Sequence, residues 1–174
     1  MSIAPNGSAI VPGDDRRLIT LERLLAIPAI DVTTALDQAS QLVAEELGAE
    51  KVDAFLLDST TGTLVAAGMT ETPMLNQERA IGLDRLPLIN GGWLAKVFET
   101  GVPYLTGHAD GDPRALPGFT QGLGVRSMMI VPFDVNNERR GVLQAVSIRT
   151  DQFSERDLDF LQAVARWMGM VAHK

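Results

Sequence analysis

Between Arg126 and Lys174 the chain carries an apolar run, a polar turn, a second apolar run and a long amphipathic segment in unbroken succession. This order constrains the fold more than any other stretch. Met128 to Phe133 is continuously apolar, and Gly141 to Ile148 has apolar residues at both parities of the pleat. A strand with two apolar faces has to be covered on both. The polar Asp134 to Arg140 between them predicts a hairpin connection, so the two strands are expected to pair antiparallel. Ser154-Glu155-Arg156-Asp157 then predicts a helix start, with the Ser154 hydroxyl accepting from an orphan backbone N–H and Asp157 favoured by the positive helix end.

In the closing segment, residues 155–173, two apolar stripes emerge at helical spacing. Leu158, Leu161, Ala165, Met168 and Ala172 form one. Phe160, Val164, Trp167 and Val171 form the other, about 100° round a wheel of about 3.6 residues per turn. One partner surface cannot cover both. The pattern predicts one stripe on the sheet and the other against a helix, either from the N-terminal part of this chain or from a second copy. Asp159, Gln162, Arg166 and His173 share the remaining face, a polar edge for water.

A chain of 174 residues with 45% hydrophobic content suits one domain with its own core, expected over residues 14–174 behind a flexible lead at 1–13. There is no cysteine, which removes disulfides, thiolate nucleophiles and zinc–thiolate sites. No apolar run approaches the roughly 18 to 20 residues of a membrane span, and Met1 to Gly13 lacks the cationic start and apolar centre of a signal peptide. These features predict a soluble, unprocessed, cytoplasmic protein. A net charge of −7 and no dense Lys/Arg run argue against nucleic acid as a direct ligand.

Leu18, Leu21, Leu24 and Leu25 predict an N-terminal helix over 14–27, ended by Pro28. Asp31 is expected to cap a second helix with Val32, Leu36, Ala39, Val43 and Leu47 on one face and Gly48 as its terminator. Val52 to Leu57 and Thr63 to Ala67, joined by the turn-forming Asp58 to Gly62, predict a first hairpin. Residues 69–90 stay open in detail, with a short helix near Leu75 to Ala80 and an apolar run near Leu86 to Ile89. Gly92 to Gly101 predicts a brief helix with Leu94, Val97 and Phe98 inward, followed by an edge strand at Pro103 to Thr106. Gly107 to Gly124 has five glycines and two prolines in eighteen residues and no regular period. Connections longer than ~12 to 15 residues generally have a role, and here a lid or pocket wall is expected.

Several punctuating residues, in this order, resemble a GAF domain, a small-molecule-sensing module of signalling proteins. They are Leu47-Gly48-Ala49 before Val52 to Asp58, the turn Asp58 to Gly62, Val97 to Pro103, Gly124 to Phe133, Gly141-Val142-Leu143, and Phe153 to Asp157. The resemblance implies an α+β fold of the GAF or PAS-like kind: a central antiparallel sheet of about six strands, N- and C-terminal helices on one face and a ligand pocket on the other. It also implies homodimerisation through the terminal helices and an output domain such as a histidine kinase or transcription regulator. Specialised relatives are matched poorly. Pigment-attaching and methionine-sulfoxide-reducing relatives use cysteines, absent here, and the cyclic-nucleotide pattern is met only partly by Ser147, Arg149, Phe153 and Asp157-Leu158.

Residue by residue, Trp93, Tyr104, Phe119, Arg126, Met128 and Gln144 are the expected pocket set, with Arg126 and Gln144 as the polar groups that orient a ligand. Each aromatic could equally be plain core, and Arg126 could pair with an acidic neighbour. Leu21, Leu25, Phe160, Val164, Trp167 and Val171 are the expected helix or dimer interface. His108 could ligate a metal or haem, although a solvated turn explains it as well. With no calcium loop, nucleophile elbow or phosphate loop, the expectation is a protein that is not an enzyme, binds an unidentified small molecule or, alternatively, serves as a ligand-free dimerisation module.

Overall fold

The computed structural model describes residues 12–27, 32–69 and 73–173. Helices α1 (Pro12–Leu25) and α2 (Val32–Leu47) lead into strands β1 (Lys51–Asp58) and β2 (Thr63–Met69), then helix α3 (Pro73–Ala80) and strand β3 (Arg85–Pro87). Helix α4 (Gly92–Thr100), strands β4 (Tyr104–Thr106), β5 (Ser127–Val135) and β6 (Glu138–Ser147), and helix α5 (Glu155–His173) complete the order. The α+β architecture has one six-stranded sheet, ordered β3-β2-β1-β6-β5-β4, with every neighbouring pair antiparallel.

Both faces of the inner strands are buried, as their patterning requires. On one face Val52, Leu143, Met129 and Val131 pack against α2 and α5. On the other, Phe55, Val142, Val146 and Ile130 pack against α4 and the 107–124 connection, which contributes Phe119 and Leu123. α5 begins at the expected place. The backbone N–H of Asp157 donates to Ser154 Oγ at 3.2 Å, and that of Ser154 donates to Asp157 Oδ2 at 2.8 Å, so both orphan donors are satisfied reciprocally.

Three boundaries differ from the sequence reading. α1 starts at Pro12, because a proline tolerates the first helical turn, so residues 12 and 13 belong to the helix rather than to the lead; the rest of the lead lies outside the described residues. The same helix ends at Leu25, short of residue 27, and the Asp31 cap also lies outside the described residues. The β5–β6 connection is only Asn136-Asn137, not the seven-residue stretch from Asp134 to Arg140. Both asparagines have positive φ, 54° and 62°, which a tight two-residue hairpin turn requires and asparagine tolerates.

Both stripes of α5 find partners inside this chain. Leu161, Ala165 and Met168 are buried in the helical core, and so are Phe160 and Val164. Arg17 of α1 lies 5.3 Å from the Phe160 ring centroid and also pairs with Asp157, so the N-terminal helix supplies part of the second cover. At Gly169 the helix approaches the sheet closely, and a Cβ there would overlap the Asp134 carbonyl oxygen of β5. Gly169→Ala is therefore expected to lower stability by about 1–2 kcal/mol in urea unfolding. Overpacking against fixed backbone, typically ~1–3 kcal/mol, outweighs the gain of up to about 1 kcal/mol from removing a helical glycine.

Candidate functional site

Strand pairing and helix α3 bring four polar side chains together on the face of the sheet opposite α2 and α5. Lys51, Asp53 and Phe55 alternate along β1 onto this face, and the register sets Asp53 opposite Gln144 and Lys51 opposite Val146 of β6. Glu78 reaches the same place from α3. All four polar residues are fully buried. Lys51 Nζ donates to Glu78 Oε1 at 3.0 Å and is in ion-pair contact with Asp53 Oδ2. Gln144 is flanked by Ile130 on the other neighbouring strand and by Val142 and Val146 on its own. Both polar atoms of its amide lack a hydrogen-bond partner, as do both Asp53 carboxyl oxygens and Glu78 Oε2.

Such burial perturbs the charges. Burial pulls the Lys51 ammonium down to about 8, with Glu78 opposing. Burial also pushes the Glu78 carboxyl above the ordinary carboxylate range, with Lys51 opposing. Unpartnered buried polar groups each cost about 1–3 kcal/mol, so a fold that keeps several together has a feature that core packing alone does not explain.

Above this cluster runs the 107–124 connection, built of a short turn at Ala109–Gly111 and a π-helical turn at Gly118–Gly122. The second turn buries Phe119 in the front core. One carboxylate fastens the first part: Asp112 Oδ2 accepts from Trp93 Nε1 at 2.7 Å and from the Tyr104 hydroxyl. The Trp93 and Tyr104 rings stack at 3.9 Å with planes 11° apart. Lys96 and Arg114 lie 5.3 and 5.6 Å from the Trp93 ring. Burial opposes ionisation of Asp112, but hydrogen bonds from Tyr104, Arg114 and Trp93 hold its carboxyl below the usual range. Burial and the bond to Asp112 raise the Tyr104 hydroxyl well above its ordinary value. Farther along, Gln77 of α3 donates to the Gly122 carbonyl at 2.5 Å.

Of the expected pocket residues, Phe119, Met128 and Gln144 lie in the buried front layer, and Trp93 and Tyr104 form the half-buried latch at its margin. Arg126 does not point into the cluster. It sits at the surface, 3.5 Å from Asp110 and donating to the Thr120 and Val125 carbonyls, where it ties down the 107–124 connection. His108 is exposed, 3.4 Å from Asp151. Among the described residues no group of three or more His, Asp or Glu is placed to hold a metal. Sequence reasoning missed Lys51, Asp53 and Glu78. The signal for the first two was present, as two charges at alternate positions among the apolar residues that open β1.

Among the interface residues, Phe160 and Val164 are buried within the chain, and Leu21 and Trp167 are half-buried against the same core. Leu25 is 73% exposed. The side chain of Val171 lies outside the described residues. No described helix is long and apolar enough to cross a membrane.

Comparison with known proteins bears on the whole arrangement. No curated protein sequence matches the chain. A solved free methionine-R-sulfoxide reductase from Neisseria meningitidis, in complex with its substrate, is 22% identical with a TM-score of 0.75 over 94% of this chain and 92% of that one. The GAF domain of an Acinetobacter phosphoenolpyruvate-protein phosphotransferase is 18% identical with a TM-score of 0.74 over 95% of this chain and 96% of that one. A methyl-accepting chemotaxis protein fragment is 23% identical with a TM-score of 0.68 over 88% of this chain and 94% of that one. The reductase corrects the expectation that the chain is not an enzyme: this fold carries catalysis as well as signalling. The missing cysteine removes thiol chemistry from the chain's own side chains and nothing more. The sequence model of the GAF domain matches residues 29–171, and the chain belongs to the GAF domain family.

Proposed function

We propose that the chain is a sensory and regulatory domain in which a small molecule occupies the enclosed polar cluster beneath the 107–124 lid and biases the terminal helices toward one of two arrangements. The observation that carries this reading is the Gln144 amide, fully buried with neither polar atom satisfied, beside the half-satisfied carboxyls of Asp53 and Glu78. GAF domains in a phosphotransferase and the likeness to a chemotaxis protein support the regulatory setting.

A route from site to helices follows from β5. Met128 and Ile130 face the front layer, while Met129 and Val131, alternating with them, pack in the core beneath α5. A guest that moves the front of β5 or β6 therefore moves the surface on which α5 rests. Such coupling requires that the guest bind one arrangement more tightly than the other. α1 and α5 would carry the change to a second copy or to an output element such as a kinase or transcription regulator.

Exposed Leu18, Ile19 and Leu25 on α1 and Met170 on α5 favour a second reading, a dimerisation module that needs no ligand. Light scattering separates the two: a stable dimer that Leu25→Glu converts to monomer, with no response to any small molecule, would favour the module.

The sensory reading is tested by a thermal-shift screen over nucleotides, amino acids, amines, haem and aromatic acids, and silence from every class would defeat it. Gln144→Met is expected to stabilise the ligand-free protein by about 1 kcal/mol or more, since an apolar side chain of similar shape replaces an orphaned amide, and to remove any ligand-induced shift. Lys51 supplies a pH signature. Its folded value near 8 is below the unfolded 10.5, so the unfolded state binds more protons between them and stability rises with pH across that window. Urea unfolding from pH 8 to 10 should show this rise in the wild type relative to Lys51→Met.

A further inference from the structure

The enclosed cluster is unbalanced in a way that specifies its guest. Lys51 brings one positive charge against the two carboxyls of Asp53 and Glu78. Glu78 Oε1 accepts a hydrogen bond from the ammonium and Asp53 Oδ2 is in ion-pair contact with it, while Asp53 Oδ1 and Glu78 Oε2 have neither. Gln144 Oε1 is a third orphaned acceptor. Against three acceptors stands a single orphaned donor group, Gln144 Nε2. Water brings at most two donors and an anion none to three orphaned acceptors, and buried polar groups are tolerated only when hydrogen-bonded.

Around these groups the surface is aliphatic and aromatic: Ile130, Val142 and Val146 from the sheet, Phe55 beside Asp53, and Phe119 from the lid, all buried. Resting on the sensory reading above, we infer that the guest is a small aliphatic primary ammonium ion. Its three N–H donors meet the orphaned oxygens of Asp53, Glu78 and Gln144, and its short apolar tail lies along Ile130 and Val146. A primary ammonium has three rotatable donors and no acceptor, the complement of what the cluster lacks. An oxygen on the guest near the nitrogen would in addition accept from Gln144 Nε2. Entry requires the Phe119 turn to lift, and α3 to move with it, since Gln77 binds the lid and Glu78 the cluster.

The test uses three four-carbon probes that differ in headgroup: n-butylamine, n-butanol and sodium butyrate, by thermal shift and isothermal titration on the intact chain at neutral pH. Butylamine is expected to raise the melting temperature and the other two to leave it unchanged. Asp53→Asn and Glu78→Gln should each weaken butylamine binding about tenfold or more, the effect of losing one charge-assisted hydrogen bond. Should Asp53→Asn fail to fold, Glu78→Gln gives the same reading from a short helix outside the sheet. Binding of butyrate or butanol with butylamine silent overturns the ammonium assignment and leaves the sensory reading standing. Silence from all three also overturns it, and the broader screen then decides the sensory reading separately. Unchanged butylamine affinity in a folded variant overturns the placement.

Discussion

Strands β1, β6 and β5 have apolar side chains on both faces, and a sheet built this way is stable only with two covers. That requirement shapes everything else. Behind the sheet the cover is helical, with α2 and α5 presenting regular stripes to Val52, Leu143 and Met129. In front it is made of short pieces: α3, α4 and a glycine-rich connection that inserts Phe119 and Leu123. A cover of linked helices and a cover of loops differ in how readily they open. Segments with few regular hydrogen bonds sit at the low-stability end of a structure, so the front is the cover expected to open more readily.

Within that front layer, the polar cluster works against the fold. Lys51, Asp53, Glu78 and Gln144 lie where apolar residues would pack without penalty, and their mutual pairing is incomplete. An all-apolar replacement would be expected to be more stable, as with other buried ion pairs. Stability is thus surrendered at one spot, in the front layer, on a strand pair whose opposite face supports α5. A single strand, β5, faces both layers, with Met128 and Ile130 in front and Met129 and Val131 behind.

Much of this architecture was legible in the sequence because it depends on local periodicity. The two stripes of α5, the Ser154–Asp157 cap, the face of α2 and the paired strands at each end of the chain all follow from residues within a few positions of one another. The irregular course of 107–124 was legible from its glycine and proline content. The polar cluster was not, because its meaning depends on a distant partner. Lys51 and Asp53 at alternating positions fit a strand with one wet face equally well. Only the pairing of β1 with β6, far along the chain, makes β1 central and buries both charges. Glu78 was harder still, since α3 is short and its only buried residues are Leu75 and Glu78. Arg126 was misplaced for a related reason: it precedes β5 and turns outward to Asp110 rather than following the strand's inward parity.

The Asp112 latch also gives the molecule a built-in optical probe. Of the two tryptophans, Trp93 is stacked on Tyr104 and hydrogen-bonded to Asp112 at the lid, whereas Trp167 rests on the helical side. Freeing the carboxylate would unstack one indole and wet it, while the other keeps its surroundings. Emission from the pair therefore separates movement of the front cover from movement of the back, and each can be followed with no attached dye.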